Sequence, residues 1–181
     1  MLRGGPVCVR PDDLCGRWIY GKLSKGSAVA DSIVRDVFAC ISVNDTDKAI
    51  AWCKDVFGAA EVGIPLRMPD GKIAHCEIHI GDTPIFPAED VGDRFDGSLN
   101  DLGDTSALLL LNTKEVDATV VAAAKAGVKV LIPVTDQFYG QRAGRIRDPF
   151  EHVRLISQPI KDVWSDEMQR RTDTMVQGDS S

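Results

Sequence analysis

The chain has 181 residues, 44% hydrophobic and 27% charged, which suits one globular domain able to bury a core without disulfide or metal staples. A net charge of −6 argues against a nucleic-acid or anionic-membrane partner, and no apolar run approaches the ~18 residues of a membrane span. The five cysteines are odd in number and form no CxxC pair, so they read as reduced thiols of a cytoplasmic protein.

Residues 1–33 mix Gly, Pro and charge without period and are expected to be a flexible extension. Asp12 and Asp13 sit poorly with a transit peptide, though organellar targeting stays open. Periodic structure begins where Val37, Ala39, Ile41 and Val43 alternate with Phe38, Cys40 and Ser42, the pattern of a half-buried strand. Asp45 or Thr46 is placed to cap a helix with an apolar face of Ala49, Ile50, Cys53, Val56 and Phe57, closed by Gly58 as a left-handed end. Two strands turn about Pro69-Asp70-Gly71, and the second runs over His75 to Ile80. Gly81-Asp82 then leads into a third strand over 83–87.

The order repeats. A strand over 107–111 precedes a helix capped by Asn112 or Thr113, with Val116, Val120, Ala123 and Ala124 apolar and Ala126-Gly127 at its end. Strands over 128–132, 142–147 and 152–157 follow, the last two joined by Asp148-Pro149-Phe150. Asn44 and Asn112, and the pairs Ile64-Pro65 and Ile132-Pro133, share an offset of 68 residues, which points to duplication. A short helix from Ser165 through Arg171, stapled by Trp164, and a disordered tail from Val176 close the chain. The expected fold is α+β: one domain over 34–158, built of two tandem βαβββ modules at about 36–90 and 105–158, followed by a C-terminal helix and tail over 159–181.

Three segments carry a family likeness: Asp45 to Ala59, Met68 to Asp82 (MPDGKIAHCEIHIGD), and Asp136 to His152 (DQFYGQRAGRIRDPFEH). Together they resemble the glyoxalase/bleomycin-resistance/dioxygenase (vicinal oxygen chelate) superfamily, in particular its PhnB-like branch, over about residues 37–171. The resemblance implies two modules whose curved mixed sheets enclose a concave site. It also implies a homodimer and a small-molecule ligand.

Metal-dependent members of that superfamily hold His, Gln or Glu at four strand positions, because divalent metals need such donors at about 2.0–2.2 Å. Matching the motifs puts those positions at Phe38, Phe86, Leu110 and Leu155, none of which can donate, and a slip of one residue in any strand offers no ligand either. No cofactor is therefore expected, and a divalent metal is disfavoured. The four side chains would instead line an apolar ligand cavity. His75, Glu77 and His79 alternate on one strand and share a face, but the two histidines lie about 13 Å apart in an extended strand, too far for one metal. They read as polar cavity or solvent-face residues. Glu77, His79 and Tyr139 are the acid–base candidates of a metal-free enzyme. His75, Gln137 and Arg142 are further ligand contacts, Arg142 as a bidentate carboxylate clamp. Glu151 stands where the family has glycine, and Cys53 (beside Trp52) and Arg154 replace its usual tyrosine and tryptophan; these departures fall near the presumed pocket. Cys40 reads as a small core residue.

Three functions fit. The first is a metal-independent small-molecule binder. The second is a glyoxalase-like isomerase, epimerase or lyase acting on an oxygenated small molecule. The third is a non-catalytic interaction subunit with a closed pocket.

Overall fold

A computed structural model describes residues 37–89 and 97–178; the extension over 1–33 lies outside them. In order, the elements are β1 (Ala39–Ser42), α1 (Thr46–Phe57), β2 (Ala60–Arg67), β3 (Ile73–Ile80), β4 (Thr83–Ala88), α2 (Leu99–Leu102), β5 (Leu108–Asn112), α3 (Val116–Lys125), β6 (Lys129–Asp136), β7 (Gln141–Arg147), β8 (Val153–Pro159) and α4 (Ser165–Gly178). The architecture is α+β with two βαβββ modules. Their sheets run β1-β4-β3-β2 and β5-β8-β7-β6, and β1–β4 and β5–β8 are the parallel pairs. The four-residue α2 is too short to leave a periodic trace and was not anticipated.

Local chemistry explains the boundaries. Asp45 caps α1 by accepting from the Lys48 amide at 3.0 Å, and Gly58 ends it at φ 65°. The expected cap of α3 at Asn112 or Thr113 is corrected. Asn112 pairs with Ser157 and completes β5, while the Thr113 hydroxyl accepts from the Glu115 amide. The first amide of α3, on Val116, donates instead to the Gln158 side chain on β8 at 3.1 Å. The tail is corrected too: α4 continues through Gly178, and residues 179–181 lie outside the described chain.

Each sheet buries one face under its helix. Ile41, Ile73, Cys76, Ile78 and Ile85 pack with Ala49, Ile50, Trp52 and Cys53, while Val116, Val120 and Ala123 pack with Ile146 and Ile156. Val56, Phe57 and Val128 touch both clusters, and the Trp52 indole donates to the Ala126 carbonyl at 3.3 Å. Arg154 extends this contact. It occupies on β8 the register that Ile85 occupies on β4. Its guanidinium lies 5.5 Å from the Trp52 ring centroid and 5.4 Å from that of Phe57, and pairs with Asp148 at 2.7 Å, both side chains fully buried. Cys53 and Arg154 thus depart from the family pattern within the core between the modules. The isosteric reason is visible: Asp148 and two ring faces supply the charge and π partners that a buried guanidinium requires. Burial in this core pushes the Cys53 thiol up to about 11.

Because α1 packs on the helix-facing side of both sheets, the helices stand between the modules. The other face of each sheet points outward.

Candidate functional site

The outward face of the first sheet carries the aromatic and titratable residues. Side chains on β3 alternate, so Cys76 and Ile78 enter the core while His75, Glu77 and His79 share the open side, as the sequence pattern requires. Glu77 Oε1 and His79 Nε2 are 2.7 Å apart. Phe86 on β4 stacks on His75, with centroids 5.5 Å apart and planes at 21°, and meets Phe38 edge-to-face at 5.6 Å and 71°. The result is an aromatic cluster bordered by a carboxylate–imidazole pair. Cys40, in register with Phe86, is exposed here, which corrects its expected place in the core. The open face needs no apolar side chain at that position.

The outward face of the second sheet is aliphatic and basic. Leu110 pairs with Leu155, Leu155 with Arg145, and Arg145 with Ile132, forming one row across four strands. Arg147 lies on the same face but is held by Glu151 at 3.0 Å and Asp104 at 3.5 Å. Phe38, Leu108 and Leu110 remain 50%, 43% and 37% exposed, so this end of each outward face is open in the single chain, whereas Gln141, Ala143 and Ser157 on the same side of the second sheet are buried.

Several expected site residues are redirected. Arg142 points to the helix side of β7, where it binds Asp117 on α3 and Asp136. Core packing of Ile146 fixes that face inward, so Arg145, one strand position out of phase, takes the outward place. Alternation had already put the two arginines on opposite sides, and the buried Ile146 was the signal that decided which side faces out. Gln137 is committed to its own turn, donating to the Thr135 hydroxyl at 2.8 Å. Tyr139 sits in the β6–β7 turn of the second module, edge-to-face with Phe138. Motif matching put the counterpart of Phe38 at Leu110, but strand register puts it at Leu108: Ala39 pairs with Ile85 as Leu109 pairs with Arg154, an offset of 70. The repeat has slipped by differing amounts: Ile78 and Ile146, in equivalent registers, are 68 apart.

The residues do not fit a chelated metal. Phe38 and Phe86 are the module equivalents of Leu108 and Leu155 by register, and all four are hydrocarbon. Among the described residues no three His, Cys, Asp or Glu side chains converge to hold an ion. His79 and Glu77 form a pair, whereas the His75 ring is stacked flat on Phe86.

Comparison with known proteins agrees with the fold. The model of the Glyoxalase/Bleomycin resistance protein/Dioxygenase superfamily matches residues 34–154. An uncharacterized protein of Mycobacterium tuberculosis, Rv0887c, is 31% identical over 148 residues, 80% of this chain and 86% of that protein. Among solved structures, TioX from Micromonospora sp. ML1 superposes with a TM-score of 0.54 at 21% identity, covering 70% of this chain and 100% of TioX. The PhnB protein of Bacillus cereus gives 0.55 at 12% identity, covering 68% of this chain and 99% of that protein. FosX of Listeria monocytogenes, a fosfomycin resistance protein, gives 0.53 at 18%, covering 70% and 93%. No helix among the described residues is long and apolar enough to cross a membrane.

Proposed function

The chain belongs to the Glyoxalase/Bleomycin resistance protein/Dioxygenase superfamily, and from that premise we propose that it is a metal-independent small-molecule-binding protein that works as a homodimer. The observation that carries this reading is the pair of outward faces. Hydrocarbon side chains stand at the four metal positions, yet Phe38 and Leu108 stay about half exposed in the single chain. A surface of this kind gains ~25 cal/mol for each Å² of apolar area removed from water. Apposing the first face of one copy to the second face of another covers both and leaves an apolar cleft between them.

The test uses the full chain. Sedimentation should give a dimer, and a panel of flat apolar compounds should raise Tm, by an amount corresponding to ~2.7 kcal/mol at a hundredfold excess over Kd. A monomer indifferent to the whole panel would leave the interaction-subunit reading in its place. One mole of zinc, nickel or iron per chain after gentle purification would remove the metal-independent clause.

A second reading rests on the 2.7 Å Glu77–His79 contact. The carboxylate orients the imidazole, and Nδ1 is left to move a proton on a bound oxygenated ligand, the arrangement of a general base. Isomerase, epimerase or lyase activity lost in both Glu77→Ala and His79→Ala, with ligand binding retained, would favour the enzyme over the binder.

A further inference from the structure

We infer that the ligand is a flat carboxylate, with its ring on the first outward face and its carboxylate on Arg145 of the second copy; this rests on the dimeric-cleft reading above. The inference begins with charge partners. Arg67, Arg142, Arg147, Arg154, Arg170 and Arg171 each bind an aspartate or glutamate within 4 Å. Arg145 alone among the described arginines has no such partner, in a chain with 27 acidic and 21 basic residues. Acids are plentiful, so an arginine left without one is the exception to be explained.

Arg145 is exposed in the single chain, but its neighbours on that face are apolar. In register on either side stand Leu155 and Ile132, with Leu110 beyond. Closing the cleft over these apolar neighbours would remove water from the flanks of the guanidinium. Its paired N–H groups then match a carboxylate in a bidentate fork, and lower local polarity strengthens the bond. Arg147, two residues on, differs in one respect: Glu151 already neutralises it.

The first face excludes the opposite orientation. The His75–Phe86–Phe38 surface accepts a ring by stacking, but Glu77 borders it. Glu77 is the module counterpart of Arg145, since the preceding or following core residues Ile78 and Ile146 occupy equivalent registers. A ligand carboxylate laid beside Glu77 would be repelled, whereas the same group directed to the second face meets an unpaired cation. Opposite charges at one repeated position therefore give the cleft a direction.

The experiment measures binding of 2-naphthoate and of its neutral isostere 2-naphthamide to the full-length protein by calorimetry, with sedimentation alongside. The expected result is at least tenfold tighter binding of the naphthoate. In Arg145→Gln that advantage should vanish while naphthamide binding is unchanged, and Arg145→Lys should keep part of it because a point charge replaces the fork. Equal affinity for the two compounds, with Arg145→Gln indifferent, overturns the carboxylate assignment but leaves the cleft standing. Loss of the dimer in Arg145→Gln also overturns it, since Arg145 would then serve the interface. A monomer that binds neither compound sinks the cleft itself, and the inference with it.

Discussion

The two modules share one order of elements and one strand topology, yet they diverge unequally on their two sides. Toward the helices the repeat is conservative: Ile78 and Ile146 occupy the same register and both are fully buried. Toward solvent it is free: Glu77 is matched by Arg145, and the aromatic Phe38 and Phe86 by Leu108 and Leu155. Packing volume constrains the first set, because interiors are dense and a misfit of one methylene is felt. Only a ligand or partner constrains the second. A duplicated fold can thus keep its core and still build two unlike half-sites. Arg154 breaks the rule from the inside, where its counterpart is Ile85, and the sharpest tests begin there.

The largest effect is expected at that break. Replacing Asp148 by Ala strands a buried guanidinium whose Nη1 already lacks a partner, and removes the acceptor for the Phe150 and His152 amides at 2.9 Å. Loss of one member of a buried pair costs about 3–5 kcal/mol. Urea unfolding should register most of this. Replacing Ile80, at the corresponding end of β3, should cost far less, since it is only partly buried. If Asp148→Ala falls within 1 kcal/mol, the pair is not what joins the modules.

Next come two turn glycines that look alike in sequence. Gly71 and Gly140 both have positive φ, 92° and 85°, which only glycine adopts without strain. A Cβ on Gly71 meets open space, whereas one on Gly140 meets the Lys161 carbonyl at 2.2 Å. Ile160 and Lys161 donate their amides to the Gly140 carbonyl, fastening the segment before α4 over this turn. Gly71→Ala should therefore cost about 1 kcal/mol from backbone strain alone, and Gly140→Ala about 2–4 because overpacking adds to it. Equal losses by thermal denaturation would show that the C-terminal segment yields freely.

Much of this was legible in advance, and the failures are instructive. Period-two and helical alternation locate the strands and the helices α1 and α3. It also placed His75, Glu77 and His79 on one side. What alternation cannot supply is the sign of a face in a strand as mixed as Gln141–Arg147: Arg142 and Arg145 are equally plausible until Ile146 is known to be buried. Nor can a single repeat offset be trusted. Offsets run from 68 between Ile78 and Ile146 to 70 between Ala39 and Leu109, and strand register puts the counterpart of Phe38 at Leu108, two positions before the Leu110 that motif matching gives. The buried Arg154–Asp148 pair is not legible in sequence because a turn separates its partners and the two rings beside the guanidinium come from the other module.

The β3–β4 and β7–β8 turns offer a smaller contrast. Gly81 takes φ 60° in the first, and Glu151 takes φ 68° in the second. A glutamate there is strained by roughly 1 kcal/mol relative to glycine. Glu151→Gly should raise stability by somewhat less than that, because the exposed contact to Arg147 is lost in the same change. An unchanged or lowered midpoint in urea would mean that Arg147 needs its acid more than the backbone needs relief.

The smallest expected effect is pH-dependent. His152 follows that turn, and its Nε2 lies 2.9 Å from the Ser42 carbonyl, so a side chain of the second module donates to β1 of the first. Burial holds its pKa below the ordinary value of 6.5; Asp148 opposes the shift and Arg154 adds to it. The sign follows from proton counting. Below the unfolded value of about 6.5 the unfolded chain binds a proton that the folded chain resists, so stability falls as pH drops through 6.5 toward the depressed folded value. Above pH 7 neither state is charged and the term disappears. His152→Gln keeps a donor for Ser42 but cannot titrate. The difference in Tm between wild type and variant should therefore be constant above pH 7 and shrink as pH falls from 7 to 5. A parallel decline of both proteins would place the acid sensitivity elsewhere and leave the modules joined at Ser42 by geometry alone.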